Sequence, residues 1–90
     1  MTGEDKHPDY WTPTYLKAWR TESISQLANV RKLTQNEAAN LLGISRKQYN
    51  ELENGKTRID RRTSMACLYL ANIAENSPEY LRKLLFKDQL

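Results

Sequence analysis

Residues 33–57 read LTQNEAANLLGISRKQYNELENGKT, and the fold follows from this stretch. Thr34 followed by Glu37 has the spacing of a reciprocal capping box, in which each side chain reaches the other residue's backbone N–H at a helix start. The helix so opened carries Ala38, Ala39, Leu41 and Leu42 as its apolar positions. Gly43 ends it, because a tight turn at that point requires a residue tolerant of positive φ. Ile44 is then expected to anchor the turn in the core. Ser45 and Gln48 repeat the capping box and open a second short helix, with Tyr49 and Leu52 inward and Asn54-Gly55 as its close.

Two short helices, a glycine turn and a buried aliphatic residue between them make a helix-turn-helix skeleton. Outward from it, Thr12-Pro13 reads as an N-cap followed by proline at the first helical position. Tyr15, Leu16 and Trp19 follow at helical spacing. The polar triplet Thr21-Glu22-Ser23 looks like a break, after which Ile24, Leu27 and Ala28 restart the apolar stripe; one helix or two could result. On the other side, Asp60 is expected to cap a helix from about Arg61 to Glu75. Its run from Met65 to Ala71 is apolar around the whole circumference. Ser77-Pro78-Glu79 starts a last helix with a stripe of Tyr80, Leu81, Leu84 and Leu85. With no strand pattern and no repeat, the expectation is an all-α domain of five to six helices over residues 12–90, preceded by a flexible arm over 1–11.

Ninety residues suffice for one modest core, and Cys67 alone gives neither a disulfide framework nor a cysteine metal site. It is expected to be a buried small hydrophobe, and Trp11 and Trp19 core aromatics. No apolar run reaches the 18 residues of a membrane span, and the first eleven residues lack the apolar stretch of a secretory signal. A cytoplasmic protein is expected. One histidine (His7), one cysteine and no glycine-rich phosphate loop assemble no catalytic constellation, so neither an enzyme, a cofactor nor a metal site is expected. The net charge of +3 is unevenly placed. Residues 31–62 hold Arg31, Lys32, Arg46, Lys47, Lys56, Arg58, Arg61 and Arg62 against Glu37, Glu51, Glu53 and Asp60, giving +4 there and −1 elsewhere. A focused basic stretch suits a polyanion.

The stretch 33–57 resembles the phage repressor/Cro-like helix-turn-helix family, with its Thr-Gln, its alanine, its glycine turn and its closing Glu-x-Gly; ELENGKT is especially similar to lambdoid phage repressors. That resemblance implies a lambda-repressor-like domain whose recognition helix, about residues 46–54, enters the major groove. Arg46, Lys47, Gln48 and Asn50 are the residue types that reach base edges, arginine or lysine to guanine and asparagine or glutamine to adenine. Phosphate contacts are expected from Gln35, Ser45, Asn54, Lys56, Thr57, Arg58, Arg61 and Arg62, which fix register without reading sequence. Departures from the family pattern are Ala38 where leucine is usual and Tyr49 where isoleucine or valine is usual, a pair that compensates in volume. Ala28 stands where an arginine usually pairs with the closing glutamate. Glu53 therefore needs another partner, Arg31 being the candidate, or stays solvated. Glu51 is an acid near the groove that either accepts from a cytosine amine or holds a basic neighbour.

An all-round apolar helix in so small a domain needs cover, and a second copy of the chain is the simplest cover. Leu68, Tyr80, Leu81, Leu84 and Leu85 are the expected dimer contacts, and the partner DNA is expected to be an inverted-repeat operator. The functional expectation is a dimeric transcriptional repressor or autoregulator of phage or bacterial origin. The alternatives are an antitoxin-type protein that uses the same module while neutralising a protein partner, and an RNA-binding or purely structural module.

Overall fold

The structure is a computed structural model that describes residues 11–86. These residues form α1 (Pro13–Ala18), a π-helical turn (Trp19–Ser23), α2 (Ile24–Ala28), α3 (Gln35–Leu42), α4 (Arg46–Glu53), α5 (Arg61–Asn76) and α6 (Pro78–Phe86). No strand occurs among the described residues. The all-α expectation holds among the described residues. The expected arm lies outside the described residues except at its last member. Trp11 is buried, its ring tilted 42° against Tyr15 at a centroid distance of 4.5 Å, as expected of a core aromatic.

The helix starts are built by the side chains expected to build them. Thr12 accepts from the backbone N–H of Tyr15 ahead of Pro13, and Asp60 accepts from that of Thr63. Both capping boxes close in both directions, Thr34 with Glu37 and Ser45 with Gln48. Each such cap satisfies N–H groups that the helix itself leaves unbonded and contributes about 1 kcal/mol. Gly43 ends α3 at φ +75°, a left-handed conformation that costs glycine nothing. Ile44 follows it and packs against the core.

The segment 13–28 differs from the expected break. α1, the π-turn and α2 run on without interruption, since Trp19 and Ile24 are both right-handed helical where the turn meets its neighbours. The inward residues explain the widened turn. Trp19 and Ile24 are five apart, a step that ordinary α-helical spacing cannot keep on one face. The Ile24 N–H bonds to the Trp19 carbonyl, the i to i+5 bond of a π-turn. The polar triplet serves this geometry rather than breaking it. Thr21 donates its hydroxyl to the Lys17 carbonyl at 2.9 Å, and Ser25 donates to that of Thr21 at 2.8 Å. Trp19 then donates its indole N–H to the Cys67 carbonyl at 2.9 Å, tying the turn to α5.

The core joins Leu16, Trp19, Ile24, Leu33, Tyr49, Cys67, Leu70 and Leu81 with the smaller Ala28, Ala38, Ala39 and Ala74. Ala38 and Tyr49 are both fully buried, as a compensating pair requires. Burial pushes the Cys67 thiol well above its ordinary range, which leaves it a packing residue. The stripe expected on α6 divides. Leu81 is 0% exposed and belongs to the core of its own chain, and Leu85 packs partly against that core. Leu81 therefore has no exposed surface to offer a second copy, unlike Tyr80 and Leu84.

Candidate nucleic-acid interface

α3 and α4 pack against each other across the Gly43 turn, and α4 presents its first turn outward. Ser45, Arg46, Lys47 and Gln48 are all exposed, while Tyr49 and Leu52 turn inward and hold the helix down. The Gln48 carbonyl oxygen accepts from the Ser45 N–H at 2.9 Å. Its amide therefore has donors left for a ligand but no free bidentate edge, which suits a guanine or a phosphate better than an adenine. Ser45 accepts from the Gln48 N–H and keeps its hydroxyl proton for an outside acceptor. Past the end of α4, Asn54, Lys56, Thr57 and Arg58 are exposed, as are Arg61 and Arg62 on the first turn of α5. Gly55, at φ +79°, turns the chain there. Lys56 and Thr57 both donate their backbone N–H to the Glu51 carbonyl, so this basic loop is folded back onto α4.

Two of the four acids of this region, Glu37 and Glu53, are ion-paired, and Asp60 caps a helix. Asp60 is held below the usual carboxylate range by the Thr63 backbone N–H that it caps. Glu37 is paired with Arg31 through two hydrogen bonds of 2.9 and 2.6 Å. That pair removes Arg31 as the candidate partner of Glu53. Glu53 instead meets Arg20, on the π-turn: Arg20 donates Nε to Oε2 at 2.7 Å and Nη2 to Oε1 at 3.0 Å. The same guanidinium donates Nη1 to the Leu33 carbonyl at 2.8 Å. The side chains are 12% and 4% exposed, so the pair is shielded from solvent. Burial alone would raise the Glu53 carboxyl, but the bonds from Arg20, helped by that from Gln35, hold it below the usual range. The Tyr49 hydroxyl is enclosed close to Glu53 without hydrogen-bond geometry, and desolvation pushes its ionisation well above the ordinary tyrosine value. Glu51 is half-buried. It shares a cleft of about 230 Å³ with Gln48, Thr57 and Arg58, and among the described residues its carboxylate has no ion-pair partner.

From Glu53 a chain of amides runs to the outer face. Gln35 donates Nε2 to Glu53 Oε1 at 3.0 Å, Asn50 donates Nδ2 to Gln35 Oε1 at 2.9 Å, and Asn54 donates Nδ2 to Asn50 Oδ1 at 2.8 Å. Gln35, Asn50 and Asn54 are thus brought together at the start of α3 and along α4. The sequence named all three but gave no sign of their connection, and it did not name Arg20.

A helix-turn-helix family model matches residues 24–68, half of the chain. The chain belongs to the helix-turn-helix family of the Cro/C1 type. The match spans α2 to the middle of α5, and so contains the paired helices α3 and α4 and the basic loop after them. Arg20 lies outside it, so the family segment here receives its ion-pair partner from the helix that precedes it. Members of the family are DNA-binding transcription regulators, and at that level so is this chain. Comparison with curated proteins and with solved structures finds no match. No helix among the described residues is long and apolar enough to cross a membrane.

Proposed function

We propose that the chain is a cytoplasmic, sequence-specific regulator that binds double-stranded DNA as a homodimer and acts as a repressor or autoregulator of phage or bacterial type. One observation carries the reading. The first turn of α4 and the segment after it expose Arg46, Lys47, Lys56, Arg58, Arg61 and Arg62, while the nearby Glu53 is withdrawn into a pair with Arg20. The face is therefore more cationic than its composition suggests. Its cations fall into two groups with different work. Arg46 and Lys47 stand at the exposed start of a helix, where side chains reach base edges when the helix lies in the major groove. Lys56, Arg58, Arg61 and Arg62 flank that helix, where a phosphate backbone would run.

The test is selection of bound duplexes from a random pool. An enriched inverted repeat with half-site centres roughly 10 bp apart, or a multiple of that, is the expected result. Enrichment of single-stranded or hairpin RNA over duplex DNA would overturn the reading. On the best operator, Arg46→Ala or Lys47→Ala is expected to cost about 1–3 kcal/mol of binding free energy and to relax preference at the bases beneath. Unchanged affinity and consensus in both variants would remove α4 from the groove.

The flanking group has a different signature. Replacing Lys56, Arg58, Arg61 or Arg62 by alanine should weaken binding to all duplexes alike. Each phosphate partner removed in this way should lower the slope of log affinity against log salt by about one unit. Filter binding or anisotropy from low to moderate salt gives the slope. A variant that alters the base consensus while keeping the wild-type slope would contradict the assignment.

A further inference from the structure

We propose that Glu53 fixes the hydrogen-bond polarity of the DNA-reading face, acting through Gln35 so that Asn50 offers its side-chain amide to a base in one orientation only. This rests on the reading of α4 as the helix that enters the groove. An unrestrained asparagine amide can flip, exchanging a donor for an acceptor with almost no change of shape. A base edge that presents an acceptor beside a donor distinguishes those two states.

The chain of bonds removes the choice. Arg20 offers only donors, and both carboxylate oxygens of Glu53 accept from it. The carboxylate, ionised in this setting, can only accept, so Gln35 must turn its Nε2 toward Glu53 Oε1. The Gln35 carbonyl oxygen is then the atom left facing Asn50, and Asn50 must answer with Nδ2. That turn leaves Asn50 Oδ1 toward Asn54, which answers with its own Nδ2. Three amides in series thus inherit their direction from one buried acid. Asn50 is half-buried and keeps one amide proton and one lone pair unspent, in a fixed order. Gln35 and Glu53 are positioning residues here; Asn50 is the group that meets the base.

Two substitutions in the full chain separate this from a structural role. Gln35→Met keeps the length of the side chain, leaves the Arg20–Glu53 pair untouched and cuts the relay. Glu53→Gln introduces a group that both donates and accepts, so it no longer dictates the direction. Selection from a random duplex pool is run on both variants and on the wild type. In Gln35→Met the preference at one base pair of each half-site should fall by roughly 5- to 150-fold, the worth of one bidentate contact, with the other positions unchanged. If Gln35 served only to touch a phosphate, its replacement would lower affinity for every sequence equally and leave that ratio alone. Glu53→Gln, where it folds, should lose preference at the same base pair.

Three results overturn the proposal, and they differ in what else they remove. A wild-type consensus retained at every position by Gln35→Met would remove the relay and leave the groove-reading helix standing. A wild type that enriches no duplex would remove the groove reading as well. The third result needs no DNA. NMR of the free wild type should show slow solvent exchange of the Asn50 side-chain amide and faster exchange in Gln35→Met, and equal exchange in the two proteins would overturn the bond order itself.

Discussion

Arg20→Ala is expected to lower the stability of the domain by about 3–5 kcal/mol, the cost of breaking a buried ion pair by removing one member. The substitution removes both Arg20 bonds from a Glu53 side chain that is 4% exposed in the intact chain, with the Gln35 amide as its remaining bonded partner. It also strips the Leu33 carbonyl of its donor. A domain of this size has about 5–13 kcal/mol in total, so the loss is a large part of it. Arg20→Lys keeps the charge but not the three-way fork that spans Oε1, Oε2 and the Leu33 carbonyl, and should recover only part of the loss. Urea denaturation followed by circular dichroism measures both. A change below about 0.5 kcal/mol in Arg20→Ala, the range of an ordinary surface substitution, would mean that the pair does not hold the fold together.

The same pair contributes to the acid response, together with Glu37 and Asp60. Glu53 and Glu37 both ionise below the usual carboxylate range in the folded chain. The unfolded chain therefore binds more protons than the folded one between the two values, and stability falls as pH falls. The contribution is complete above the unfolded glutamate value of about 4.3 and disappears as pH drops through the lower folded values. Wild-type stability should then be level from neutral pH to about 5 and decline below it. The decline should be shallower in Arg20→Ala, where the chief cause of the lowered Glu53 value is gone.

Why Arg20 escapes the sequence, when the caps around it do not, is a matter of distance along the chain. Thr34 with Glu37, Ser45 with Gln48 and Asp60 with Thr63 are three residues apart, and helix geometry alone brings such pairs together. Gly43 and Gly55 are legible for the same reason, since each answers a local backbone requirement. Arg20 and Glu53 are 33 residues apart, and their meeting depends on the register of the helix before the family segment. That register is set by a π-turn, whose five-residue step from Trp19 to Ile24 looks to a 3.6-residue period like an interruption. The amide relay is hidden in the same way. Gln35, Asn50 and Asn54 are ordinary polar residues for their positions, and only the packing of α3 on α4 makes them a chain. On α6 the apolar stripe is legible but not its division, because hydrophobicity does not say which edge of a stripe faces inward. Trp11 is legible by residue type, as an aromatic expected in the core, rather than by the polar composition of the stretch it lies in.

The second large effect concerns assembly. Leu68→Glu is expected to turn a dimer into a monomer and to weaken operator binding by roughly 10²–10⁴-fold, the gain that linking two recognition modules provides. α5 buries Ser64, Cys67, Leu70 and Ala74 on one side and carries Met65, Leu68 and Tyr69 on the opposite side. Met65 is 53% exposed and Tyr69 is 66% exposed, unusual for large side chains on a helix with a fully formed core behind it. On α6, Tyr80 is 53% exposed and Leu84 is also open, while Leu81 supports the helix from within. Leu68, Tyr80 and Leu84 therefore remain the proposed interface, joined by Met65 and Tyr69, with Leu85 half-withdrawn. A second copy would cover the same surface on both chains at once, as an isologous two-fold contact does, and would carry two α4 helices to opposite halves of an inverted repeat. Because Leu68 is 37% exposed and lies outside the core cluster, a glutamate there should leave the fold intact, which a circular dichroism melt at low concentration checks. Tyr69→Glu and Leu84→Glu should act in the same direction. Sedimentation at micromolar concentration reads the dimer directly, and footprinting reads the operator. A wild-type monomer that protects one asymmetric site would sink the proposed dimer and the inverted repeat together.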